Sequence, residues 1–254
     1  MIRTTAALVL AAGLAFTAAS PAQAFDVTQM SEAERAAFQA EIRSYLLENP
    51  QVVMEAAAAF EQQQVAAQAA NDVDLVKANA ADLFEDASSW VGGNPEGDIT
   101  IVEFIDYRCG YCRKAHDEVA QLLKSDGDIK LIMKEFPILG EASTLSSRFA
   151  IATRLTAGDE AYKAVGDTLI KLKSDVNETV LRAVAESLQL DADAILLAMN
   201  SAEVNTIIAA NHQLGQRLSI SGTPTFIMQD QVMRGYMPLD AMQGIVAALR
   251  DERG

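Results

Sequence analysis

Cysteine is scarce in this sequence: the 254 residues contain two, Cys109 and Cys112, separated by two other residues. A chain of this length, with 50% hydrophobic residues, can bury a large core without covalent cross-links. So few cysteines exclude a small scaffold held together by several disulfides. The pair therefore has to be explained by what its two sulfur atoms do locally.

Basic residues are also in short supply. The chain has 20 Lys and Arg against 35 Asp and Glu, which gives a net charge of −15 at pH 7. A surface with this excess of negative charge repels phosphate backbones and anionic lipid headgroups. The composition argues against nucleic acid and anionic membrane surfaces as partners.

The sequence also lacks an apolar run of the ~20 residues that a helix needs to span a bilayer. Near its start it has Arg3, a run of apolar and small residues from Ala6 to Ala19, and the small-x-small pattern Ala22-Gln23-Ala24. These features predict a signal peptide over residues 1–24, cleaved after Ala24, and export of the mature protein to the periplasm. Without Arg3, 19 basic residues remain against 35 acidic ones, a net charge of −16.

Residues 26–88 contain no glycine and a single proline, Pro50. Ser31 followed by Glu34 has the pattern of a capping box, which predicts the start of a first helix. Asn49 and Pro50 have the residue types of an N-cap and a first helical position, so they predict a second helix that continues to about Glu85.

A second helix of that length would reach roughly 50 Å, more than the width of a small domain. Large apolar side chains are concentrated before residue 60, and alanine and glutamine prevail after it. We therefore expect residues 25–60 to form a helical oligomerisation segment and residues 61–88 a connecting helix. The alternative is a pair of helices folded back on the main domain.

Residues 89–254 have the pattern of an α/β domain. A turn-rich stretch from Gly92 to Asp98 leads into the strand pattern IVEFIDY, a helical stretch follows the cysteines, and DIKLIMKEF indicates a second, parallel strand. Helical patterns then run from about Leu139 to Leu218, interrupted at Gly158 and at residues 175–177, with Asp191 and Ser201 as expected helix caps. TPTFIM, QVMRG and a last helix beginning at Leu239 complete the order β-α-β, helical block, β-β-α.

The residues alone leave several uses of the cysteine pair to weigh. A disulfide between them closes a very short loop and would restrict the unfolded chain little. Zinc commonly takes four ligands, and only His116 and His212 add imidazoles, whereas a reduced dithiol can bind Cu(I). Redox exchange suits the site better, because Cys109 lies where a strand leads into a helix. There the free N–H groups and the helix dipole stabilise an exposed thiolate, and Cys112 can attack a mixed disulfide formed on it.

Four stretches carry a resemblance to a known family: IVEFIDYRCGYC, KEFPILG, SGTPTF and, near the N-terminus, EIRSYLLENPQVVMEA. They resemble the thioredoxin-fold periplasmic disulfide oxidoreductases, in particular the DsbA-type, Com1-like branch that includes the suppressor-of-copper-sensitivity C proteins. The resemblance implies an α/β thioredoxin fold over residues 89–254 with a helical insertion at about 139–218, preceded by the N-terminal helical segment.

The resemblance also implies roles for individual residues. Cys109 is the expected nucleophile and Cys112 the resolving thiol. Thr223 and Pro224 are expected to form a cis peptide beside the cysteines that binds substrate backbone. Glu103 matches the buried acid that assists proton transfer at the inner cysteine, and its alternative is a surface glutamate on an edge strand.

Gly110 and Tyr111, between the cysteines, resemble the dipeptide of disulfide isomerases rather than that of the oxidant DsbA. We expect Lys134 to pair with Glu103, and we interpret His116 as a histidine on the surface of the helix.

These observations predict a periplasmic thiol-disulfide oxidoreductase that acts as an isomerase or reductase on unfolded or misoxidised exported proteins. The resemblance implies a homodimer or homotrimer formed through residues 25–60, and a membrane redox partner of the DsbD or ScsB (suppressor-of-copper-sensitivity B) type. No cofactor and no metal are expected. Two alternatives stay open at this point: a DsbA-like dithiol oxidase, and a Cu(I)-binding copper-stress protein.

Overall fold

The computed structural model describes residues 27–252. The predicted signal peptide and its cleavage after Ala24 lie outside the described residues. The chain divides into two units after Phe60, and each is described by itself. Within residues 27–252, no helix is long and apolar enough to cross a membrane.

The N-terminal unit is helical. A short 3-10 turn (Val27–Gln29) precedes α1 (Glu32–Glu48), and the predicted capping box at its start is confirmed by the Ser31 and Glu34 hydrogen bonds. The predicted N-cap at Asn49 is wrong, because its side-chain amide donates to the Tyr45 carbonyl at 2.9 Å and so closes the end of α1. The next helix, α2 (Gln51–Ala78), begins two residues later.

The prediction of one continuous helix to Glu85 is also wrong. Helix α2 ends at Ala78, Asn79 interrupts it, and α3 (Ala80–Phe84) follows. The side chain of Asn79 donates to the Leu75 carbonyl at 2.8 Å and accepts a hydrogen bond from Arg217 at 2.5 Å, in addition to the backbone hydrogen bond from the Asn79 N–H to the same carbonyl.

The C-terminal part of the predicted connecting helix is part of the second unit rather than a free linker. Val76 and Leu83 are buried, at 2% and 0% exposure, against Val102 and Phe104 of the sheet. Burial of these two side chains stabilises the attachment of this segment to the sheet by roughly 3–6 kcal/mol, although the preceding alanine and glutamine stretch has few large apolar side chains.

The sheet has five strands in the order β1-β3-β2-β4-β5. They are β1 (Trp90–Gly93), β2 (Ile99–Ile105), β3 (Ile129–Glu135), β4 (Thr225–Met228) and β5 (Gln231–Arg234). The pair β2 and β3 is parallel, as predicted, and the other three pairs are antiparallel. Strand β1 was not predicted, because glycines make a poor strand signal; here the Trp90 ring lies over Gly92, where a Cβ atom would not fit.

The helices of the second unit cover both faces of this sheet. Helix α4 (Gly110–Asp126) joins β2 to β3, and α9 (Leu239–Asp251) ends the domain. The predicted helical block contains α5 (Glu141–Leu169), α6 (Glu178–Ser187), α7 (Ala192–Ala198) and α8 (Ala202–Arg217). The predicted interruption at Gly158 and the predicted caps at Asp191 and Ser201 are confirmed.

The central strand β2 contributes to a separate hydrophobic cluster on each face of the sheet. Ile101 and Ile105 belong to the larger cluster, whereas Val102 and Phe104 belong to the smaller one. Since side chains alternate along a strand, Glu103 projects to the same face as Ile101 and Ile105. That face is covered by α4, which carries the cysteines.

Candidate active site

Cys109 is the N-cap residue of α4, with extended backbone angles and no side-chain hydrogen bond to the helix. Cys109 therefore lies between the end of β2 and the start of α4, as the sequence predicts. The predicted exposure is wrong: Cys109 is 7% exposed and Cys112 is 0% exposed. The loop that contains Thr223 covers Cys109. The Cys109 Sγ donates a hydrogen bond to the Thr223 carbonyl oxygen at 3.1 Å.

The Thr223–Pro224 peptide bond is cis, as the resemblance implied. It immediately precedes β4, the antiparallel neighbour of β2. The loop before β4 and the end of β2 are therefore adjacent in space. This brings Thr223 into contact with Cys109, although the two residues are 114 positions apart in the sequence.

Glu103 is a buried acid at the centre of the sheet. It is 2% exposed and lies on β2, which has strands on both sides, so the interpretation as an edge-strand surface residue is excluded. Burial raises the pKa of Glu103 to about 8. Burial also raises the pKa of Cys112 far above its ordinary value, and negative charge on Glu103 or Cys109 raises it further. A carboxylate at Glu103 can take the proton that Cys112 must lose.

The predicted pairing of Lys134 with Glu103 is wrong. In the parallel register, Glu103 lies opposite Met133 and Lys134 opposite Phe104, so the two charged side chains project to opposite faces of the sheet. The Lys134 ammonium instead donates to Asp86 at 2.5 Å and to the Asp82 carbonyl at 2.7 Å. Burial opposes ionisation of Asp86, but hydrogen bonds from Lys134 and neighbouring serines outweigh it and lower its pKa.

Asp106 organises the loop between β2 and the cysteines, a role that the sequence analysis did not identify. Its side chain is fully buried and accepts hydrogen bonds from the backbone N–H groups of Arg108, Ile138 and Leu139 at 2.8, 2.9 and 3.1 Å. Its carbonyl accepts from the Cys109 N–H at 3.1 Å. An aspartate directly after a buried strand is a turn signal that could have identified it.

We expect Asp106→Ala to lower the free energy of unfolding by roughly 3 kcal/mol, because three backbone N–H groups lose their charged acceptor. Asp117→Ala is the matched control, since Asp117 is an aspartate in the middle of α4 whose side chain is 70% exposed. The control should change stability by less than about 0.5 kcal/mol. Urea unfolding followed by circular dichroism measures both, and equal stabilities would contradict the role of Asp106.

Gly110 and Tyr111 form the outer surface of the site. A Cβ atom on Gly110 would meet nothing within 4 Å, and Tyr111 is 64% exposed. The Tyr111 ring stacks on Tyr236 at 6.3 Å, and the Lys114 ammonium lies 3.9 Å from the centre of the Tyr236 ring. These side chains make an aromatic surface next to the sulfur atom of Cys109.

The interpretation of His116 as a surface histidine is wrong. Its side chain is 16% exposed and its Nε2 lies 3.0 Å from Asp167 Oδ1 on α5. It also lines a cavity that Glu103 reaches. Within residues 27–252, no group of three or more His, Cys, Asp or Glu side chains is placed to hold a metal ion.

The site combines three features: a Cys-x-x-Cys pair at a helix N-terminus, a cis-proline loop that contacts the outer sulfur, and a buried acid on β2. Together they define a thioredoxin-fold dithiol site. The chain belongs to the family of DSBA-like thioredoxin domains, whose model matches residues 100–247. Residues 34–67, in α1 and α2, match the N-terminal domain of the copper resistance protein ScsC.

Solved structures agree with this assignment. A thioredoxin-like oxidoreductase from Silicibacter pomeroyi DSS-3 is 37% identical, with a TM-score of 0.64, over 67% of this chain and 97% of that chain. A linker-deletion mutant of Proteus mirabilis ScsC is 20% identical, with a TM-score of 0.66, over 89% of this chain and 100% of that chain. The second likeness concerns the fold alone.

A curated relative is longer than this chain. The Na(+)/H(+) antiporter NhaA 3 of Salinispora tropica is 27% identical over 170 residues, which make up 65% of this chain and 26% of that protein. The chain therefore spans 26% of the length of this relative.

Proposed function

We propose that this protein is a thiol-disulfide oxidoreductase that reduces and isomerises disulfides in exported proteins. The observation that carries the proposal is the 3.1 Å contact between Cys109 Sγ and the Thr223 carbonyl at the N-terminus of α4. It puts the outer sulfur beside a backbone edge where an extended substrate can align. Membership of the family of DSBA-like thioredoxin domains supports this reaction class.

In the reductive direction, the Cys109 thiolate attacks one sulfur of a substrate disulfide. The substrate S–S bond breaks, a Cys109–substrate bond forms, and the other substrate sulfur leaves as a thiolate that takes a proton from solvent. Cys112 then loses its proton to Glu103 and attacks Cys109 Sγ. This step forms the Cys109–Cys112 disulfide and releases the second substrate thiolate.

For isomerisation, the substrate's own thiol resolves the mixed disulfide before Cys112 does. The Cys109–substrate bond breaks, a different substrate disulfide forms, and the dithiol remains reduced. Burial raises the pKa of Cys112 and so favours its thiol form, which disfavours resolution within the protein relative to this rearrangement. The neutral Gly110 and Tyr111 add no positive charge that would favour a strongly oxidising couple.

The proposed site of action is the periplasm, with a membrane reductase of the DsbD or ScsB type as electron donor. The predicted signal peptide and the absence of a spanning helix in the described residues are consistent with this site. The redox state of Cys109 and Cys112 in cells, trapped with acid and a thiol-alkylating reagent, tests the direction. A reduced pair supports a reductase or isomerase, and a fully oxidised pair would favour the DsbA-like oxidase instead.

We further propose that the N-terminal helices assemble two or three copies. Seven large apolar side chains of the N-terminal unit are at least 43% exposed: Phe38, Ile42, Tyr45, Leu47, Val53, Met54 and Phe60. Such a concentration of exposed apolar side chains is typical of an interaction surface. Several catalytic domains in one assembly hold a misoxidised substrate by avidity.

We expect deletion of residues 25–60 to give a monomer with reduced isomerase activity and increased oxidase activity. The deletion ends at Phe60, because Val76 and Leu83 belong to the core of the second unit. Light scattering measures the mass, and refolding of scrambled ribonuclease measures isomerisation. Phe38→Glu with Tyr45→Glu is the matched change in the full chain. A deletion variant that stays a dimer or trimer would contradict the assignment.

A further inference from the structure

A small cavity of about 50 Å³ lies beneath the active-site helix. Its walls come from β2, β3, α4 and α5, and most of them are apolar, including Leu123, Leu131 and Met133. The polar exceptions include Glu103 on β2, His116 on α4, and Lys163 and Asp167 on α5. The cavity therefore joins the buried acid of the site to charged groups near the surface.

Glu103 is the polar group that this cavity leaves unsatisfied. Its Oε1 is buried and makes no hydrogen bond to any residue within 27–252. Such an oxygen is costly unless water reaches it. The cavity has room for one or more water molecules, which need about 10–15 Å³ each by this measure. Water in this position would connect Glu103 to the other polar groups that line the cavity.

The His116 side chain, which lines the cavity, is held in place by a contact with α5. Its Nε2 lies 3.0 Å from Asp167 Oδ1, and Asp167 also binds Lys163. Burial lowers the pKa of His116, the positive charges of Lys163 and Lys171 lower it further, and Asp167 and Asp117 oppose these effects. A lowered pKa favours the neutral imidazole, which can accept a proton.

We propose that water in this cavity carries protons between Glu103 and His116, and that His116, oriented by Asp167, exchanges them with solvent. The inference rests on the proposed dithiol chemistry. Before each resolution step, protonated Glu103 gives its proton through the cavity to the His116 imidazole, which releases it to bulk water. The Glu103 carboxylate then accepts the Cys112 proton, and the Cys112 thiolate attacks Cys109.

The other titratable groups around the cavity do not offer this route. Tyr107 and Tyr162 donate to the buried Glu135 at 2.7 and 2.6 Å, and burial raises the pKa of both phenols. Glu135 is itself occupied by these two donors and by Ser147. Lys163 and Asp167 also line the cavity but pair with each other, which leaves His116 as the imidazole on this wall, within the part of the chain that the structure describes.

The test separates the two chemical steps in one stopped-flow trace. An aromatic disulfide reagent reacts with the reduced full-length protein and releases one coloured thiolate when Cys109 attacks. A second is released when Cys112 resolves the mixed disulfide. We expect His116→Gln to slow the second release roughly tenfold at about pH 7. At about pH 9 it should match the wild type, because Glu103 is then already ionised.

Three further measurements complete the test. Added imidazole buffer should restore the rate of the His116→Gln variant at about pH 7, which a purely structural role of His116 would not allow. Asp167→Asn should slow the same step in the same pH window, but less. His212→Gln is the matched control, because His212 contacts Phe136 and does not line the cavity, and its rates should equal those of the wild type.

Equal second-phase rates for His116→Gln and wild type at about pH 7, or a slowing that is the same at every pH and insensitive to buffer, would overturn the relay. The first release reports separately on the proposed function. If Cys109 does not attack the reagent at all, the exchange chemistry itself is wrong, whatever His116 does.

Discussion

Replacing Cys109 with serine should reduce both insulin reduction and refolding of scrambled ribonuclease to the uncatalysed background. A serine hydroxyl cannot form a disulfide, so no mixed disulfide with the substrate can exist. The Cys112 thiol cannot substitute for it, because Cys112 is fully buried and burial holds it in the protonated form.

Cys112→Ser is the matched variant, because it keeps the nucleophile and removes only the resolving thiol. It should trap a covalent complex between Cys109 and substrate proteins, visible as a high-mass band on non-reducing gels. The band should disappear on treatment with dithiothreitol and should be absent from the Cys109→Ser variant. Isomerase activity that survives in Cys109→Ser would refute the mechanism.

Glu103→Gln should make the protein more stable at alkaline pH and slower in resolving the mixed disulfide. Glu103 has a pKa of about 8 in the folded protein, above the value of 4.5 for an unperturbed glutamate, because it is buried. The folded state thus holds a proton that the unfolded state has lost. The stabilisation from the protonated form is complete below the unfolded pKa and is lost as pH rises towards 8.

Glutamine removes this pH dependence, because it is uncharged at every pH. At about pH 9 the variant should be more stable than the wild type by roughly 3–5 kcal/mol, and below about pH 4 the two should converge. Urea unfolding at a series of pH values measures the difference. Exposed Glu96→Gln is the control, and its difference from the wild type should not vary with pH.

The same substitution should slow the second thiolate release by about a hundredfold at neutral pH, since general-base assistance is worth at least that much. Cys109 attack should be unaffected. A variant that is stabilised but resolves mixed disulfides at the wild-type rate would show that Glu103 is buried without a part in proton transfer. The expected combination, a gain in stability with a loss of activity, is typical of a strained functional group.

Glu135 also makes the free energy of unfolding of the wild type depend on pH. It is a second buried acid, with a pKa raised by burial to about 7 despite hydrogen bonds from Tyr107, Tyr162 and Ser147. Its contribution to stability is also lost as pH rises, through the neutral range. The comparison with Glu103→Gln removes this contribution, because both proteins contain Glu135.

The sequence by itself determined the features that depend on neighbouring residues. The capping box at Ser31, the interruption at Gly158 and the caps at Asp191 and Ser201 follow from side chains that bond to backbone within one turn. The order of strands and helices around the cysteines follows from hydrophobic periodicity, and so does the insertion between β3 and β4. The position of Cys109 at a helix N-terminus belongs with these.

Only the tertiary structure decided which residues meet across the sheet. Strand register and side-chain alternation place Lys134 and Glu103 on opposite faces of the sheet. Lys134 instead donates a hydrogen bond to Asp86, 48 residues earlier in the chain. The Thr223 loop covers Cys109 from 114 residues away. The packing of α4 on α5 buries His116 beside Asp167 and closes the cavity under Glu103. Each of these depends on how distant segments are oriented, which neither residue type nor local spacing specifies.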